Sequence, residues 1–226
     1  MKHYKEVKNP SPKKTQSKIL PFSYPIVSID KLRVPLHQSD TLFLETLSSR
    51  RSERNFRKLK KRQLSDLLYY SARTVKINGT KDGNLWFQRP SPSAGGLHPI
   101  DIIVCIPKKD DYSINYYNPI DHSLNRLKLD TGLVANFVKH INEIIPTHNK
   151  STILWLVAHE YRTATKYINP TSLVWRDAGC LLFCINLVST ALNMRCCILG
   201  SLGEPNISRL FKKFGDVYGI GGCLIG

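Results

Sequence analysis

The sequence is poor in acidic residues: 17 Asp and Glu stand against 33 Lys and Arg in 226 residues, a formal net charge of +16. That excludes an acidic, self-solvating tail protein. The six cysteines (Cys105, Cys180, Cys184, Cys196, Cys197 and Cys223) contain no CxxC pair and no Cys/His run at zinc-finger spacing. Buried reduced thiols are expected of them, and no metal site. His98, His122 and His159 belong to no HExxH pattern and are expected to be structural. Neither GxxxxGK[ST] nor GxGxxG occurs, so a nucleoside-triphosphate or Rossmann site gains no support. Long apolar runs are also missing. The most apolar, Cys180 to Val188, contains Asn186 and falls short of the roughly 20 residues that span a bilayer. Met1 is followed by a Lys-rich, Pro-containing stretch rather than the apolar core of a signal peptide. The expectation is a soluble, cytoplasmic protein with no membrane partner.

What is present suffices for a core: 42% of residues are hydrophobic and 9% aromatic. One domain with a tail is the default for this length. The positive charge is concentrated. Residues 1–18 hold six lysines against Glu6, and residues 50–62 hold eight Arg or Lys against Glu53, so twelve of the sixteen net charges fall in two short stretches. Such an arm can hold nucleic acid, an anionic membrane or an acidic protein, or can simply be solvated. Residues 1–35 lack sustained periodicity and are expected as a mobile basic arm and extended entry segment, with the folded domain at 36–226.

Within that domain Asp40 is the expected N-cap of a helix over 41–47, with Leu42, Phe43 and Leu47 as its apolar stripe. Leu64, Leu67, Leu68 and Ala72 predict a helix over 61–73. Residues 78–84 and 89–99 read as loops. Strands are predicted at 102–106, 112–117, 124–129, 153–158, 196–199 and 219–225. The apolar residues from Leu173 to Leu192 keep i, i+3, i+4, i+7 spacing over about five turns and define a central helix. Strands and helices interleave without regular βαβ alternation, which argues for an α+β fold with a mixed or antiparallel sheet.

Three constellations could carry chemistry. Arg50, Ser52 and Arg54 share a face if the backbone is extended there and could then converge on a phosphate; a solvated basic face is the alternative. The loop Pro92-Ser93-Ala94-Gly95-Gly96 has two glycines that allow φ > 0 and a close approach to a flat ligand, or it is a plain turn. Lys166-Tyr167 could be surface residues, or an ammonium that lowers a neighbouring phenol's pKa and makes it a usable base.

In order along the chain, RRSERNF (50–56), QLSDLLYYSA (63–72), RPSPSAGGLHP (89–99), INYYNPIDHSLNRL (114–127), ATKY (164–167) and WRDAGCLLFCINLVSTALNMRCCILGS (175–201) resemble the nitroreductase superfamily. Within it they resemble the SagB-type branch, the FMN-dependent azoline dehydrogenases of thiazole/oxazole-modified peptide biosynthesis. The resemblance covers about 41–226. It implies an interwoven homodimer with one FMN at each interface site and residues of both subunits around each flavin. It also implies that Arg50, Ser52 and Arg54 hold the FMN phosphate and ribityl chain. Pro92, Ser93, Ala94, Gly95 and Gly96, with Leu199, Gly200 and Ser201, would line the flavin, and Lys166 and Tyr167 would be the catalytic pair. His98 departs from the branch, which usually has Tyr there.

The implied reaction oxidises a peptide thiazoline or oxazoline to thiazole or oxazole. The substrate is a ribosomally made precursor peptide, and a cyclodehydratase is the expected partner. Two alternatives stand beside it: an NAD(P)H-dependent flavin reductase or nitroreductase of the same fold, and a non-catalytic, basic nucleic-acid-binding protein. The second ranks below the first, because no recognition helix, zinc site or RNP-like aromatic motif occurs and no nucleic-acid partner is expected.

Overall fold

The computed structural model describes residues 7–36, 40–80, 83–109, 111–147 and 150–226. In chain order the described strands and helices are β1 (Ser11–Pro12), β2 (Ile26–Lys31), α1 (Phe43–Ser49), α2 (Lys61–Ala72), β3 (Lys76–Gly79), β4 (Leu85–Gln88), β5 (Ile100–Pro107), β6 (Tyr112–Asn118) and β7 (Ser123–Leu127). They continue with α3 (Thr131–Ile144), β8 (Thr152–Ala158), α4 (Glu160–Ala164), β9 (Tyr167–Ile168), α5 (Thr171–Ala191), β10 (Cys196–Leu199), α6 (Asn206–Phe211) and β11 (Tyr218–Ile225). Seven strands form one sheet in the order β10-β11-β8-β5-β6-β7-β2, and every described pairing is antiparallel. The α+β expectation holds.

The central strands are buried on both faces, which is why β5 and β8 read as continuous apolar runs rather than alternating ones. The period of two still sorts their side chains. Ile102, Val104, Leu154 and Leu156 point to one side, where they pack with Leu67 and Leu68 of α2 and with Val174, Ala178 and Ile185 of α5. Ile103, Cys105, Trp155 and Val157 point to the other, against Phe137 and Ile141 of α3 and Phe211 of α6. Trp155 meets Phe137 edge to face at 5.2 Å. Truncating a ring so enclosed costs about 3–5 kcal/mol.

Several elements were not expected. α3 carries Val134, Phe137 and Ile141 inward at spacings of three and four, and Asp130 caps it by accepting from Leu133 N–H at 2.9 Å. The hairpin β3–β4 and the short helices α4 and α6 are likewise additional. At α1 the N-cap is Leu42, without a side-chain cap, in place of Asp40, and its apolar residues stay exposed, Phe43 at 68%. His122 is structural, held between Tyr117 Oη at 2.9 Å and Ser65 Oγ at 3.1 Å.

The expected arm lies against the body over its described length. β1 pairs with β9, β2 forms the edge of the main sheet beside β7, and Tyr24 and Leu32 are buried. Lys13 N–H donates to Lys166 C=O at 2.8 Å and Ser17 N–H to Thr165 C=O at 3.0 Å. The apolar side chains of β2 itself stay exposed, and the buried Tyr24 and Leu32 on either side of it supply the attachment that composition alone did not disclose.

Candidate functional site

The loop 89–99 is shaped by backbone that only certain residues tolerate. Gly95 and Gly96 have φ of 64° and 67° inside a short 3₁₀ turn, and His98 follows at φ 44°. Asp177, in the second turn of α5, holds the loop down: it accepts from Ser93 Oγ at 2.6 Å and from Ala94 N–H at 3.1 Å. Burial raises the Asp177 carboxyl and these two hydrogen bonds pull it back, with a net rise. Ser93 Oγ in turn accepts from His98 N–H at 2.9 Å. The Ser93 hydroxyl is therefore committed within the loop, and only its backbone neighbours face outward. On the far side Trp86 of β4 seals the turn: a Cβ on Gly96 would stand 2.1 Å from its Nε1.

Lys166 and Tyr167 reach this loop from the α4–α5 connection. A Cβ on Gly95 would lie 3.1 Å from Lys166 Nζ and 3.1 Å from Tyr167 Oη, so both tips converge on one glycine. Lys166 Nζ sits 6.0 Å from the Tyr167 ring centroid. Among the described residues neither tip has a hydrogen-bond or ion-pair partner. The backbone behind them is fixed by Thr163 C=O, which accepts from Lys166 N–H at 3.1 Å, and by the β1 pairing. An ammonium and a phenol held over a flexible-backbone turn, both unspent, can bind an anion or exchange a proton with a ligand lying on that turn.

Arg50, Ser52 and Arg54 occupy an extended stretch after α1 that runs beside β10, where Glu53 N–H donates to Cys196 C=O at 2.9 Å. Alternation then separates the charges. Glu53 faces Arg51 at 3.4 Å and Arg195 at 3.5 Å. Arg50 lies by the Cys196 thiol, on the α5 side of the sheet, and Ser52 and Arg54 lie by the Cys197 thiol, on the α3 side. Burial raises Cys197, while Arg54 and Ser52 oppose the rise. Arg50 and Arg54 have no carboxylate partner among the described residues, which is the arrangement a phosphate requires. Leu199, the last residue of β10, is buried; beyond it a Cβ on Gly200 would meet nothing within 4 Å, and Ser201 Oγ bonds His140 Nε2 at 2.9 Å.

The chain thus gathers its residues at two places. At β10, Ser52 and Arg54 sit by Cys197 on the α3 side of the sheet, and Arg50 sits by Cys196, whose thiol touches Asn186 and Ser189 of α5. The Gly95–Lys166–Tyr167 cluster sits by Asp177, nine residues earlier on that helix, about 14 Å at 1.5 Å per residue. Along its length α5 exposes Trp175 at 46% and Phe183 at 48%, and it contacts α1, whose apolar side is uncovered. Among the described residues α5 is the one helix long and apolar enough to cross a membrane by length and composition. No group of three or more His, Cys, Asp or Glu suited to a metal occurs among those residues, and all six cysteines are free thiols, Cys180 exposed on α5.

Beneath the loop lies a buried ion network that the sequence did not reveal. Arg162 grips Asp101 through two bonds of 2.8 and 3.1 Å, His159 Nε2 stands 2.8 Å from Asp101 Oδ2, and Tyr24 Oη donates to the same oxygen at 3.0 Å. Burial alone would raise the Asp101 carboxyl; Arg162 and His159 outweigh it and hold the group far below the usual carboxylate range. Burial lowers His159 against the pull of Asp101. His98, bonded through Nε2 to Phe87 C=O at 2.9 Å, is lowered to about 4 by burial and by the charge of Arg89. His98 and His159 are structural, as expected.

The antiparallel seven-stranded sheet with helices on both faces is the nitroreductase fold. Over 97% of its length the chain superimposes on 98% of a candidate nitroreductase from Ralstonia eutropha JMP134, with a TM-score of 0.64 and 19% identity. A candidate nitroreductase from Anabaena variabilis matches 92% of the chain with a TM-score of 0.68 and 21% identity, and there the chain spans 40% of the larger protein. A chain of the Escherichia coli microcin synthetase McbBCD complex, solved with truncated pro-MccB17 bound, matches 87% of this chain and 77% of its own length, with a TM-score of 0.56 and 15% identity. No family model and no curated protein sequence matches the chain.

Proposed function

We propose that the protein is an FMN-dependent dehydrogenase that oxidises peptide thiazoline or oxazoline rings to thiazole or oxazole, acting as a homodimer. The observation that carries this reading is the convergence of Lys166 Nζ and Tyr167 Oη on Gly95 with no other partner for either. The similarity to a chain of a microcin synthetase supports the same substrate class and a working complex with a cyclodehydratase.

The residues fit the cofactor. Two guanidiniums without carboxylate partners, Arg50 and Arg54, suit a phosphate, and Gly200 leaves open space beside them. Pro92 to Gly96 offers backbone to a ring, and Ser93 contributes through the shape of the loop rather than through its hydroxyl. When bound, FMN supplies the hydride acceptor. The α5 residues beside Arg50 and beside the glycine loop are about 14 Å apart along that helix, so a second copy packed on the exposed faces of α1 and α5 would bring one subunit's arginines to the other's loop. That copy would also cover Trp175 and Phe183.

Aromatisation removes a proton from the azoline Cα and a hydride from Cβ. Tyr167 takes the proton through Oη, with Lys166 Nζ beside the same glycine to hold and orient the ring. General-base assistance of this kind contributes about 10²–10⁴ in rate. The test is mass spectrometry of an azoline peptide incubated with the purified, flavin-containing protein. Loss of one hydrogen pair, greatly slowed in Tyr167→Phe at unchanged flavin content, supports the assignment. Unaltered turnover by Tyr167→Phe, or rapid flavin reduction by NAD(P)H without azoline oxidation, overturns it in favour of a flavin reductase.

A further inference from the structure

A second cavity, of about 410 Å3, lies between residues 18–22, the β3–β4 hairpin and the loop that ends at His98. Its walls are apolar and aromatic: Leu20, Phe22, Leu85, Phe87, Tyr116 and Ile120. Its charges do not balance. Lys18, Arg89 and Arg162 line it, Lys18 from the exposed rim, and Asp101 is the one carboxylate among the described lining residues. Asp101 is spent on Arg162, which grips it with both terminal nitrogens. Burial lowers both histidines nearby, His98 to about 4.

Arg89 is left over. Its Nε is sealed from solvent without a hydrogen-bond partner, its guanidinium has no ion pair among the described residues, and its Cζ stands 5.9 Å from the Phe87 ring centroid. A guanidinium whose Nε is sealed in this way is costly, because nothing replaces the water that atom has lost. Burial accordingly lowers its proton affinity. The surplus positive charge calls for an anion, and the planar fork of the Arg89 guanidinium matches a carboxylate. The volume is that of a small-molecule site, and the aromatic walls suit an apolar body.

We infer that this cavity binds a carboxylate carried on an apolar or aromatic body, with Arg89 as its ion partner. The ligand is either a free small acid or the C-terminal carboxylate of a peptide. Nothing in the argument depends on the redox reading, and binding is measured without turnover.

The test is isothermal titration calorimetry of the full chain at pH 7 with two acids, 3-phenylpropanoate and a short peptide ending in phenylalanine, and with the amide of each. Saturable binding of either acid, about tenfold or more tighter than its amide, is expected, and the acid that binds identifies the source. Arg89→Met is expected to erase the preference for acid over amide. Equal binding of acid and amide, or no saturable binding of either acid, overturns the proposal; both read on the unaltered protein, so they stand even if Arg89→Met does not fold. Undiminished acid affinity in a folded Arg89→Met also overturns it.

Discussion

Asp177 and Ser93, 84 positions apart, are joined by a hydrogen bond of 2.6 Å that ties the glycine turn to the central helix. The same carboxylate takes Ala94 N–H, so one buried side chain sets the height of the turn above α5. Asp177→Ala would leave a hydroxyl and an amide unpaired. A loss of about 2–3 kcal/mol in unfolding free energy is expected from urea denaturation, together with a lower flavin content after purification.

Gly95 and Gly96 separate function from stability. Gly95→Ala would place a methyl 3.1 Å from both Lys166 Nζ and Tyr167 Oη at a φ of 64°. Azoline oxidation should fall at least tenfold, roughly the cost of an ångström's displacement at a reacting centre, while the fold remains. Gly96→Ala would drive its methyl into Trp86. A lower melting temperature is expected there, equivalent to about 1–3 kcal/mol of strain.

Arg50 and Arg54 face away from Glu53 and have no carboxylate among the described residues. Arg54→Gln should lower the FMN recovered per subunit, measured by absorbance after release, and leave the melting temperature of flavin-free protein unchanged. Full flavin occupancy would remove Arg54 from the phosphate role.

Acid should weaken the fold in two stages. His98 and His159 have folded-state pKa values below the ordinary 6.5, so their contribution is complete above that value and falls as pH drops from 6.5 toward about 4. The slope is about 1.4 kcal/mol per pH unit for each proton taken up on unfolding. Asp101 is depressed instead: its contribution is complete above the ordinary carboxylate value of 3.8 and is lost only below it. Urea titrations between pH 7 and 4 should therefore show a decline that His98→Asn reduces. A flat profile would contradict the burial of both rings.

Much of the scaffold was legible because its signals are local. The spacing from Val174 to Ile185 marks α5, and the apolar runs at 102–106 and 153–158 mark the two central strands. α3 carries local marks in Asp130, Val134, Phe137 and Ile141, but the polar residues between them dilute the pattern. The Asp101–Arg162 pair and the Asp177–Ser93 bond had no local trace, since each joins residues more than sixty positions apart. Nor does any spacing bring Lys166 to Gly95. The candidate site residues rested on resemblance for their roles, and long-range packing is what gathers them into two clusters.

The clamp behind Lys166 and Tyr167 joins residues about 155 positions apart, with β1 on one side and β9 on the other. Two residue pairs contribute little enthalpy against so large a loop, and such non-local pairings form late. After dilution from denaturant, Trp155 should regain its native fluorescence before turnover returns, so a transient population would be folded yet silent.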